Sequence, residues 1–556
     1  MNGAVLVVGG IVYFVAAYFL YGRYLARHFG VDPERPTPAN AQADGVDYVP
    51  AKPPVLFGHH FASIAGAGPI VGPVMAAHFG WLPAALWILL GSVFIGAFHD
   101  FAALFLSVRD QGRSIGHVIE NLIGYAGRQV FLIFSWAALV LVVAIFGILV
   151  AKTFVATPAV ATASLLFIAM APVFGWLVYR KNLSILTGSL IFVPLLFFFV
   201  WLGTVFPCDL SGYVEKPQDI ERIWICVLLV YVFVASVIPV WMLLQPRDYL
   251  NSYLLYAMMI LGFLGVVLVA PRFEMPAFAG FVATTPKGET QWLFPLLFVT
   301  IACGACSGFH SLVSSGTTAK QVANERHILP IGYGGMLVEG ALALMALISV
   351  AYLTPAAFGE TMKGGAVGAF AGGLATFAEN GFGLPFKIGK TFVALAISAF
   401  MLTTLDTATR LARFAWQELF LPRAGSGQAP SRPVKILANP GVATLISVGG
   451  AAALAFSGGG NAIWPVFGAS NQLLAALTLL ALTLYLLRRK KNFWLALLPM
   501  AFMMTITVWA LFLLMMANWA EKRPLALASG FLLVMALILA VLAAKAVGKA
   551  KRGEQA

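Results

Sequence analysis

The sequence is poor in charged residues, which make up only 10% of its 556 positions. Soluble domains carry about 25% charged residues and about half apolar ones. Here 60% of the residues are hydrophobic. A water-soluble fold of this length could not hide so much apolar surface, whereas a bilayer is itself an apolar solvent. The scarcity of charge therefore excludes a soluble enzyme or binding domain and indicates an integral membrane protein.

Cysteine is equally scarce, and its four copies cannot form a disulfide framework for so long a chain. Cys303 and Cys306 form a C-x-x-C inside an apolar block, where a packing role is favoured over a redox or metal role. The sequence also lacks an ATP-binding loop, a catalytic serine motif and a zinc-binding helix motif. We therefore expect no catalytic residues, no cofactor and no metal site, and no pumping driven by ATP hydrolysis in this chain.

What the chain does contain is apolar blocks of about 20 residues, the length that crosses the hydrocarbon of a bilayer. These blocks predict an all-α integral membrane protein with about fifteen transmembrane helices. The predicted spans are 3–21, 59–79, 82–106, 128–151, 158–179, 183–206, 222–245, 250–271, 291–317, 330–354, 388–412, 437–457, 461–487, 493–516 and 523–544.

The net charge of +13 comes from basic residues that flank the spans. If the N-terminus lies outside, the alternating loops place about 25 of the 35 Lys and Arg residues inside, as the positive-inside rule requires. We therefore predict an outside N-terminus and a cytoplasmic C-terminus, with membrane lipid and not nucleic acid facing the basic residues. The first apolar block has its charges, Arg23 and Arg27, after it, which is typical of an uncleaved first helix.

Three polar segments suggest how the chain is divided. Residues 30–56 are predicted to be a cytoplasmic loop, residues 355–387 an outside loop that is partly re-entrant, and residues 421–436 a basic cytoplasmic linker. The predicted regions are an N-terminal helix and loop (1–58), a transporter core (59–420) and a C-terminal four-helix membrane region (421–556).

The stretch Gly58–Pro73 has the length of a span but holds three glycines and two prolines between residues 66 and 73. Proline removes backbone donors, and glycine adds flexibility, so a regular helix is not expected here. Broken backbone at membrane depth is tolerated where it lines a cavity or is buried in protein, and free N–H groups at a half-helix start bind anions. The alternative is a kinked packing helix with close contacts through Gly68-x-x-x-Gly72.

A second interruption is predicted in Val234–Pro246, where Pro239 follows Ser236. Broken helices at matching places in two halves are typical of inverted-repeat transporters. Because five spans separate the two interruptions, we predict two five-helix halves of opposite orientation, 59–206 and 222–412.

Hydroxyl residues three or four apart run through the stretch 301–320 and would share one face of a helix. They are Ser307, Ser311, Ser314 or Ser315, and Thr318. Gly304 and Gly308 would let another helix approach closely. Such oxygens, together with unwound carbonyls near Ser63 to Gly66, would suit sodium, although hydrogen bonding between helices explains them equally well.

Ionisable residues inside spans are costly and mark functional sites by default. They are His59, His60, His99, Asp100, His310, Glu339 and Asp406. Glu339 is predicted near the midplane and the others in the cytoplasmic half. Asp406 could instead pair with Arg410 or Arg413, and His99–Asp100 could be an interfacial pair.

Three of these stretches together closely resemble the carbon starvation protein A family of bacterial inner-membrane transporters. They are Gly58–Pro73, Gly96-Ala-Phe-His-Asp-Phe101 and Ser307–Thr318, and the resemblance covers about residues 50–420. It implies a five-plus-five inverted-repeat core of the LeuT/APC type with discontinuous helices, in the bacterial inner membrane. It also implies uptake of peptides or of pyruvate when carbon is scarce, and the pyruvate members look like proton symporters.

On that resemblance, a small carboxylate would bind at the broken helices and a coupling ion nearby. The implied substrate-binding residues are Ser63, Gly66, Ala67, Gly68, Ser236, Ser307, His310 and Ser311. The implied ion-coupling residues are Glu339, Asp100, Asp406, Ser314 and Ser315. A peptide would need a larger cavity and a partner for its amino end, which Glu339 or Asp406 could provide.

The preferred hypothesis is a secondary active transporter that imports pyruvate by symport with protons, and the alternative is a di- or tripeptide permease. The residues leave open whether protons or sodium drive transport. A membrane nutrient sensor would need a soluble signalling domain, and the longest polar segments are about 30 residues. An intramembrane enzyme would need a reactive constellation that the sequence does not demand, and a channel is disfavoured by the paired breaks.

Overall fold

The computed structural model describes residues 1–44, 48–239, 242–286, 288–420, 431–457 and 460–551, and these are almost entirely helical. The first third of the chain forms α1 (Gly3–Ala17), α2 (Arg23–Phe29), α3 (Pro38–Ala41), α4 (Pro53–Ile64), α5 (Gly68–Ala76), α6 (Trp81–Gly91), α7 (Ala97–Arg109) and α8 (Ile115–Ile123). Single π-helical turns, Tyr18–Gly22 and Ser92–Gly96, join α1 to α2 and α6 to α7.

The middle of the chain continues with longer helices. They are α9 (Tyr125–Ala156), α10 (Pro158–Arg180), α11 (Ile185–Val205), α12 (Pro217–Val237), α13 (Leu244–Val269), α14 (Leu293–Thr300) and α15 (Phe309–Gly316). Between α13 and α14 lies an antiparallel hairpin of β1 (Val282–Thr284) and β2 (Thr290–Trp292), in which Ala283 pairs with Gln291.

The last third begins with a π-helical turn, Leu329–Tyr333, that runs directly into the next helix. Its helices are α16 (Gly334–Ala351), α17 (Pro355–Met362), α18 (Gly365–Phe382), α19 (Phe386–Leu419), α20 (Arg432–Leu437), α21 (Pro440–Phe456), α22 (Gly460–Arg488), α23 (Trp494–Asn518) and α24 (Arg523–Lys551).

The helices are those of an integral membrane protein, as the composition predicts. Within the described residues, twelve helical segments are long and apolar enough to cross a bilayer, and α4 with α5 form a thirteenth that is bent by 45°. All fifteen predicted stretches contain helix, but α21 has only 17 residues and α14 and α15 are two short pieces. Leu186, Trp201 and other large apolar side chains on α11 and the C-terminal helices stay exposed, which suits contact with lipid.

The order of elements repeats, which gives the core its two halves. The broken pair α4/α5 is followed by a helix with a π turn, a short helix and the 32-residue α9. The broken pair α14/α15 is followed by a helix that begins with a π turn, two short helices and the 34-residue α19. The two long helices, α9 and α19, pack along each other at the centre.

This arrangement corrects the predicted second half. The interruption predicted in Val234–Pro246 does not lie inside a span, because α12 ends at Val237 and α13 begins at Leu244. The second discontinuity lies at residues 301–308, between α14 and α15. The second half therefore begins at α14, and the hairpin of α10 and α11 is one of the additions to the ten-helix pattern.

The segment predicted as an outside loop, residues 355–387, is also different, because it forms α17 and α18. The face of α18 from Ala369 to Ala378 is buried, and Gly373 meets the Ser349 carbonyl, so the segment packs as helix against α16. Part of the predicted linker, residues 421–430, lies outside the described residues, as do Val240 and Trp241.

Contacts between loops that are distant in the sequence mark two ends of the bundle. At one end, Arg109 pairs with Glu325, Lys491 donates to the His28 carbonyl, and Arg488 donates to the Asn121 carbonyl. At the other end, Asn2 forms an isolated β-bridge with Arg272. The basic end is the one that the positive-inside rule predicts to be cytoplasmic.

This orientation gives a labelling prediction. In a chain with Cys208→Ser and Cys226→Ser, a membrane-impermeant maleimide should label Glu289→Cys in intact cells, because the β hairpin lies at the end opposite the basic loops. Asn492→Cys, exposed at the basic end, should be labelled only after permeabilisation. The reverse pattern would show that the orientation is inverted.

Candidate functional site

The first break separates α4 from α5 at residues 65–67. Pro69 has no N–H and stands at the start of α5, where proline is well tolerated, so the sequence ends one helix and begins another. Ala65 still donates to the Phe61 carbonyl and Gly66 to the Ile64 carbonyl. The N–H groups of Ala67 and Gly68 find no acceptor among the described residues. The break therefore leaves two donors at the N-terminus of a buried helix.

The second break packs directly against the first, and the two broken helices run antiparallel. A Cβ added at Gly68 would collide with the side chain of Cys303, and one at Gly72 would meet the backbone at Thr300 and Ile301. Gly304 in turn lies 3.6 Å from Pro69, measured from the position of its missing Cβ. The glycines that predicted flexibility thus serve close backbone approach at the centre of the protein.

Side chains from two neighbouring helices donate hydrogen bonds to the carbonyls that the second break leaves without helical partners. Gln472 donates to the Phe298 carbonyl (2.7 Å), and Trp87 donates to the Ile301 carbonyl (3.1 Å). Ser92, in the π turn between α6 and α7, donates to the Gly304 carbonyl (3.0 Å). This bonding keeps an irregular segment stable at membrane depth, where an unsatisfied carbonyl would be costly.

Asn471 closes the N-terminus of α15. Its Oδ1 accepts from the Phe309 N–H (2.8 Å), its carbonyl accepts from the Gly308 N–H (3.0 Å), and its Nδ2 donates to Ser307 (3.0 Å). The two half-helix N-termini therefore differ, since that of α15 is occupied by a side chain and that of α5 is open. Sequence reasoning missed Asn471 and Gln472, although two adjacent amides inside an apolar span are a visible signal.

Four ionisable side chains form a continuous buried row across three helices. Nδ1 of His99 lies 2.8 Å from Oδ1 of Asp100, and Nδ1 of His310 lies 2.7 Å from Oδ2 of the same carboxylate. Nε2 of His310 lies 3.3 Å from Oε2 of Glu339, and all four residues are fully buried. His99–Asp100 is therefore not an interfacial pair. We call His99, Asp100, His310 and Glu339 the buried relay.

Glu339 lies level with both breaks. One turn before it, Gly335 packs against His60 and Ile64 at the end of α4, and one turn after it, Ala343 packs against Gly304. Residues four apart share a helix face, so the Glu339 carboxylate is between these two contacts. Neither of its oxygens has a hydrogen-bond partner among the described residues. It is the carboxylate with the most unmet bonding capacity in the centre of the protein.

A second buried group surrounds Arg247 at the start of α13. Arg247 contacts Asp406 and Tyr231, and it lies 3.2 Å from Asp248. Tyr231 also donates to Asp406 (2.6 Å). The predicted partners of Asp406, Arg410 and Arg413, instead donate to carbonyls at the C-terminus of α12, including those of Ala235 and Ser236.

Helix α4 stands between the two groups and contacts both. Its adjacent residues His59 and His60 point to different sides, because neighbours on a helix are about 100° apart. Nδ1 of His59 lies 3.3 Å from Asp248, and Nδ1 of His60 lies 2.9 Å from the Thr318 hydroxyl. The two histidines therefore have different partners, and in the described part of the chain no three or more His, Cys, Asp or Glu residues are arranged so that they could hold one metal ion.

Most of the predicted hydroxyl residues lie on the broken helices, and Ser236 does not. Ser63 lies beside the first break and donates to the His59 carbonyl, while Ser311 donates to the Gly308 carbonyl and contacts Thr478. Ser315 accepts from the Ile115 N–H, and the buried Ser314 hydroxyl has no partner among the described residues. Ser236 is not part of this assembly, because it bonds Thr444 on α21.

The arrangement leaves two kinds of unpaired group near the breaks. The N–H groups of Ala67 and Gly68 form a positive helix end of the kind that binds anions, and Glu339 on α16, the helix packed against α5, is a carboxylate that can take up a proton. The buried relay extends that proton site through His310 to Asp100.

Comparisons with known proteins match this chain over most of its length. Residues 2–363 and 359–510 match the family described as carbon starvation protein CstA. "Peptide transporter CstA" of Escherichia coli (strain K12) is 34% identical over 96% of this chain and 83% of the relative. "Pyruvate/proton symporter BtsT" of the same organism is 32% identical over 91% of this chain and 81% of the relative. "Peptide transporter CstA" of Bacillus subtilis (strain 168) is 32% identical over 90% and 89%.

Solved structures are more distant. MhsT in complex with L-phenylalanine matches 89% of this chain and 99% of its own, with 14% identity and a TM-score of 0.47. A manganese transporter of Eremococcus coleocola, in complex with an aromatic bis-isothiourea substituted compound, matches 92% and 99%, with 12% identity and a TM-score of 0.44. These TM-scores are too low to support an argument about the site, so its description depends on the geometry of this chain alone.

The contact between the breaks gives a mutational prediction. Gly68→Ala should abolish uptake, because its Cβ would overlap the Cys303 side chain and push the two breaks apart. Removing that side chain with Cys303→Gly in the same chain should restore part of the uptake. Gly147→Ala on α9, where a Cβ meets nothing within 4 Å, is the matched control. Normal uptake by Gly68→Ala would show that this contact is not needed.

Proposed function

This chain belongs to the carbon starvation protein CstA family and is a multi-pass membrane transporter, and we propose that it imports pyruvate together with protons. In this proposal the protein lies in the bacterial inner membrane with its N-terminus outside and acts when carbon is scarce. Similarity to relatives does not select the substrate, because a protein named as a peptide transporter and one named as a pyruvate/proton symporter are almost equally identical to it.

The observation that carries the proposal is the position of Glu339. Its carboxylate is fully buried, faces both breaks and keeps two oxygens without hydrogen-bond partners in the described structure. A carboxylate so placed is expensive to keep charged unless it gains a partner. A proton is the simplest partner, and His310, 3.3 Å away, connects it to the rest of the buried relay.

The same geometry explains why an anion and a proton would travel together. A carboxylate bound at the N–H groups of Ala67 and Gly68 would bring a negative charge next to Glu339. Two like charges at that depth repel strongly, so binding of the substrate would favour a protonated Glu339. One proton and one monocarboxylate then move as a neutral pair.

A dipeptide is the second candidate, because most of the matched relatives carry the name of a peptide transporter. Its carboxylate could use the same N–H groups, but its ammonium group would need a buried anion. Asp406 is already engaged by Arg247 and Tyr231, and Asp100 by two histidines. Glu339 would therefore have to bind the peptide itself, and the two candidates assign it different roles.

Uptake by purified protein in proteoliposomes tests the function directly. With an inward proton gradient and no sodium, labelled pyruvate should accumulate above its outside concentration, and a protonophore should abolish the accumulation. Uptake of a labelled dipeptide alone, in the same vesicles, would replace pyruvate by peptide. Accumulation that requires sodium would leave the substrate in place and overturn proton coupling.

Glu339→Gln separates the two roles of Glu339. If one proton is coupled, the accumulation ratio should change about tenfold per unit of imposed pH difference. Glu339→Gln should still exchange pyruvate across the membrane but lose that dependence, because the amide cannot carry a proton. Glu360→Gln, an exposed residue paired with Lys363, should behave like the parent. An unchanged pH dependence in Glu339→Gln would remove Glu339 from coupling, and loss of dipeptide binding would favour the peptide role.

A further inference from the structure

A cavity of about 670 Å³ opens at the end of the bundle where the predicted cytoplasmic loops meet. Its walls come from α8, α9, α15 and α19, which include both long central helices. The residues around it include Tyr48, Arg113, Ser135, Leu312 and Lys320. None of the buried relay lines it, so the cavity is separate from the site at the breaks.

The cavity carries an excess of positive charge. Arg113, Arg128 and Lys320 line it, against the two carboxylates Glu120 and Glu418. Arg128 is neutralised by Glu120 at 3.0 Å. The single Ser114 hydroxyl donates to the Glu418 carboxylate, whose two oxygens lie 2.7 and 3.0 Å from it, and no cation lies within ion-pair distance of Glu418 in the described structure.

Arg113 and Lys320 have no carboxylate within ion-pair distance in the described structure, although Asp110 and Glu418 are close enough to interact with them electrostatically. Arg113 contacts the ring nitrogen of His117 (2.6 Å), and the Lys320 ammonium lies 5.5 Å from the centre of the Tyr48 ring. Both side chains line the cavity near the start of α8. Cations that face a cavity without a partner attract anions into it.

Two polar features of the wall can accept such an anion. Helix α8 begins at Ile115, where the Ile115 and His117 N–H groups donate to the Ser315 and Ser114 hydroxyls, and Gly116, which lines the cavity, keeps an N–H with no acceptor among the described residues. Ser135 on α9 is buried to 1% exposure, its hydroxyl has no partner among the described residues, and it also lines the cavity. An unpartnered buried hydroxyl is costly unless something else, here an anion, bonds it.

The cavity adjoins a small cavity at the second break. Leu139 lines both this cavity and a small one that is bounded by Ala138, Phe309 and Asn471. Phe309 and Asn471 are the residues that begin and close α15 at the second break. Leu139 therefore stands between the open space and the break.

We infer that this cavity is a second binding site for the transported carboxylate, a cytoplasmic vestibule held by Arg113, Lys320 and Ser135 and closed from the breaks by Leu139. The inference rests on the proposed function for the class of substrate. The vestibule receives the carboxylate after it passes Leu139 and keeps it near the exit until it diffuses away.

Thiol labelling from the cytoplasmic side of inside-out vesicles tests this inference, using the full chain with Cys208→Ser and Cys226→Ser. Leu312→Cys places a thiol in the wall of the vestibule. A negatively charged methanethiosulfonate should modify it about tenfold faster than a positively charged one, after correction for their intrinsic reactivities. Millimolar pyruvate should slow the modification, and the pair Arg113→Gln and Lys320→Gln should abolish both the preference and the protection.

Ala138→Cys, behind Leu139, is the matched control and should react far more slowly until Leu139→Ala is added.

Equal rates for the two reagents, or no protection by pyruvate, would overturn the vestibule. Fast modification of Ala138→Cys with Leu139 intact would overturn the barrier. The outcome is independent of the uptake experiment. Protection without pyruvate uptake would preserve the vestibule and reject the proposed function, whereas uptake without protection would do the opposite.

Discussion

The structure depends on one constraint, which is that every backbone group freed by a broken helix inside a membrane must be satisfied by protein or by a ligand. At the second break, Trp87, Ser92, Asn471 and Gln472 meet this requirement with hydrogen bonds of 2.7–3.1 Å. At the first break, the donors at Ala67 and Gly68 are left over. The difference turns one break into a scaffold and the other into a place where a ligand is needed.

A second theme is that α4 joins two buried charged groups that have different characters. The group around Arg247 is tightly paired, with two carboxylates and a tyrosine on one guanidinium. Such a group fixes the relative positions of α12, α13 and α19, because removal of one partner would leave an uncompensated buried charge. The buried relay instead ends at Glu339, which is under-bonded and so free to change its state. In the proposed function, stability and coupling therefore belong to different sides of one helix.

Much of this could be predicted from the sequence, and the remainder could not for physical reasons. The spans and the first break follow from apolar runs and from Pro69 and its neighbouring glycines. The second break was misplaced at Pro239, since the true break at 301–308 contains no proline and is held open by side chains from α22, far along the chain. Asp406 could be recognised as special, but its partner Arg247 was not, because contact between residues 159 positions apart leaves no local pattern. Where the C-terminal region seemed separate, α22 proves to complete the core.

The role of Asn471 has a consequence for how the protein is made. The Oδ1 of Asn471 accepts a hydrogen bond from the Phe309 N–H at the start of α15, although Asn471 comes 162 residues later in the chain. A chain is synthesised from its N-terminus, so the second break leaves the ribosome with Trp87 and Ser92 already made but long before Asn471 and Gln472 exist. During that interval the polar groups of the unwound segment need water, the insertion machinery or a chaperone as partners. The segment reaches its final hydrogen bonding in the bilayer only when α22, one of the last helices, has been made. A chain interrupted before α22 would therefore lack the hydrogen bonds that Asn471 and Gln472 give to the second break.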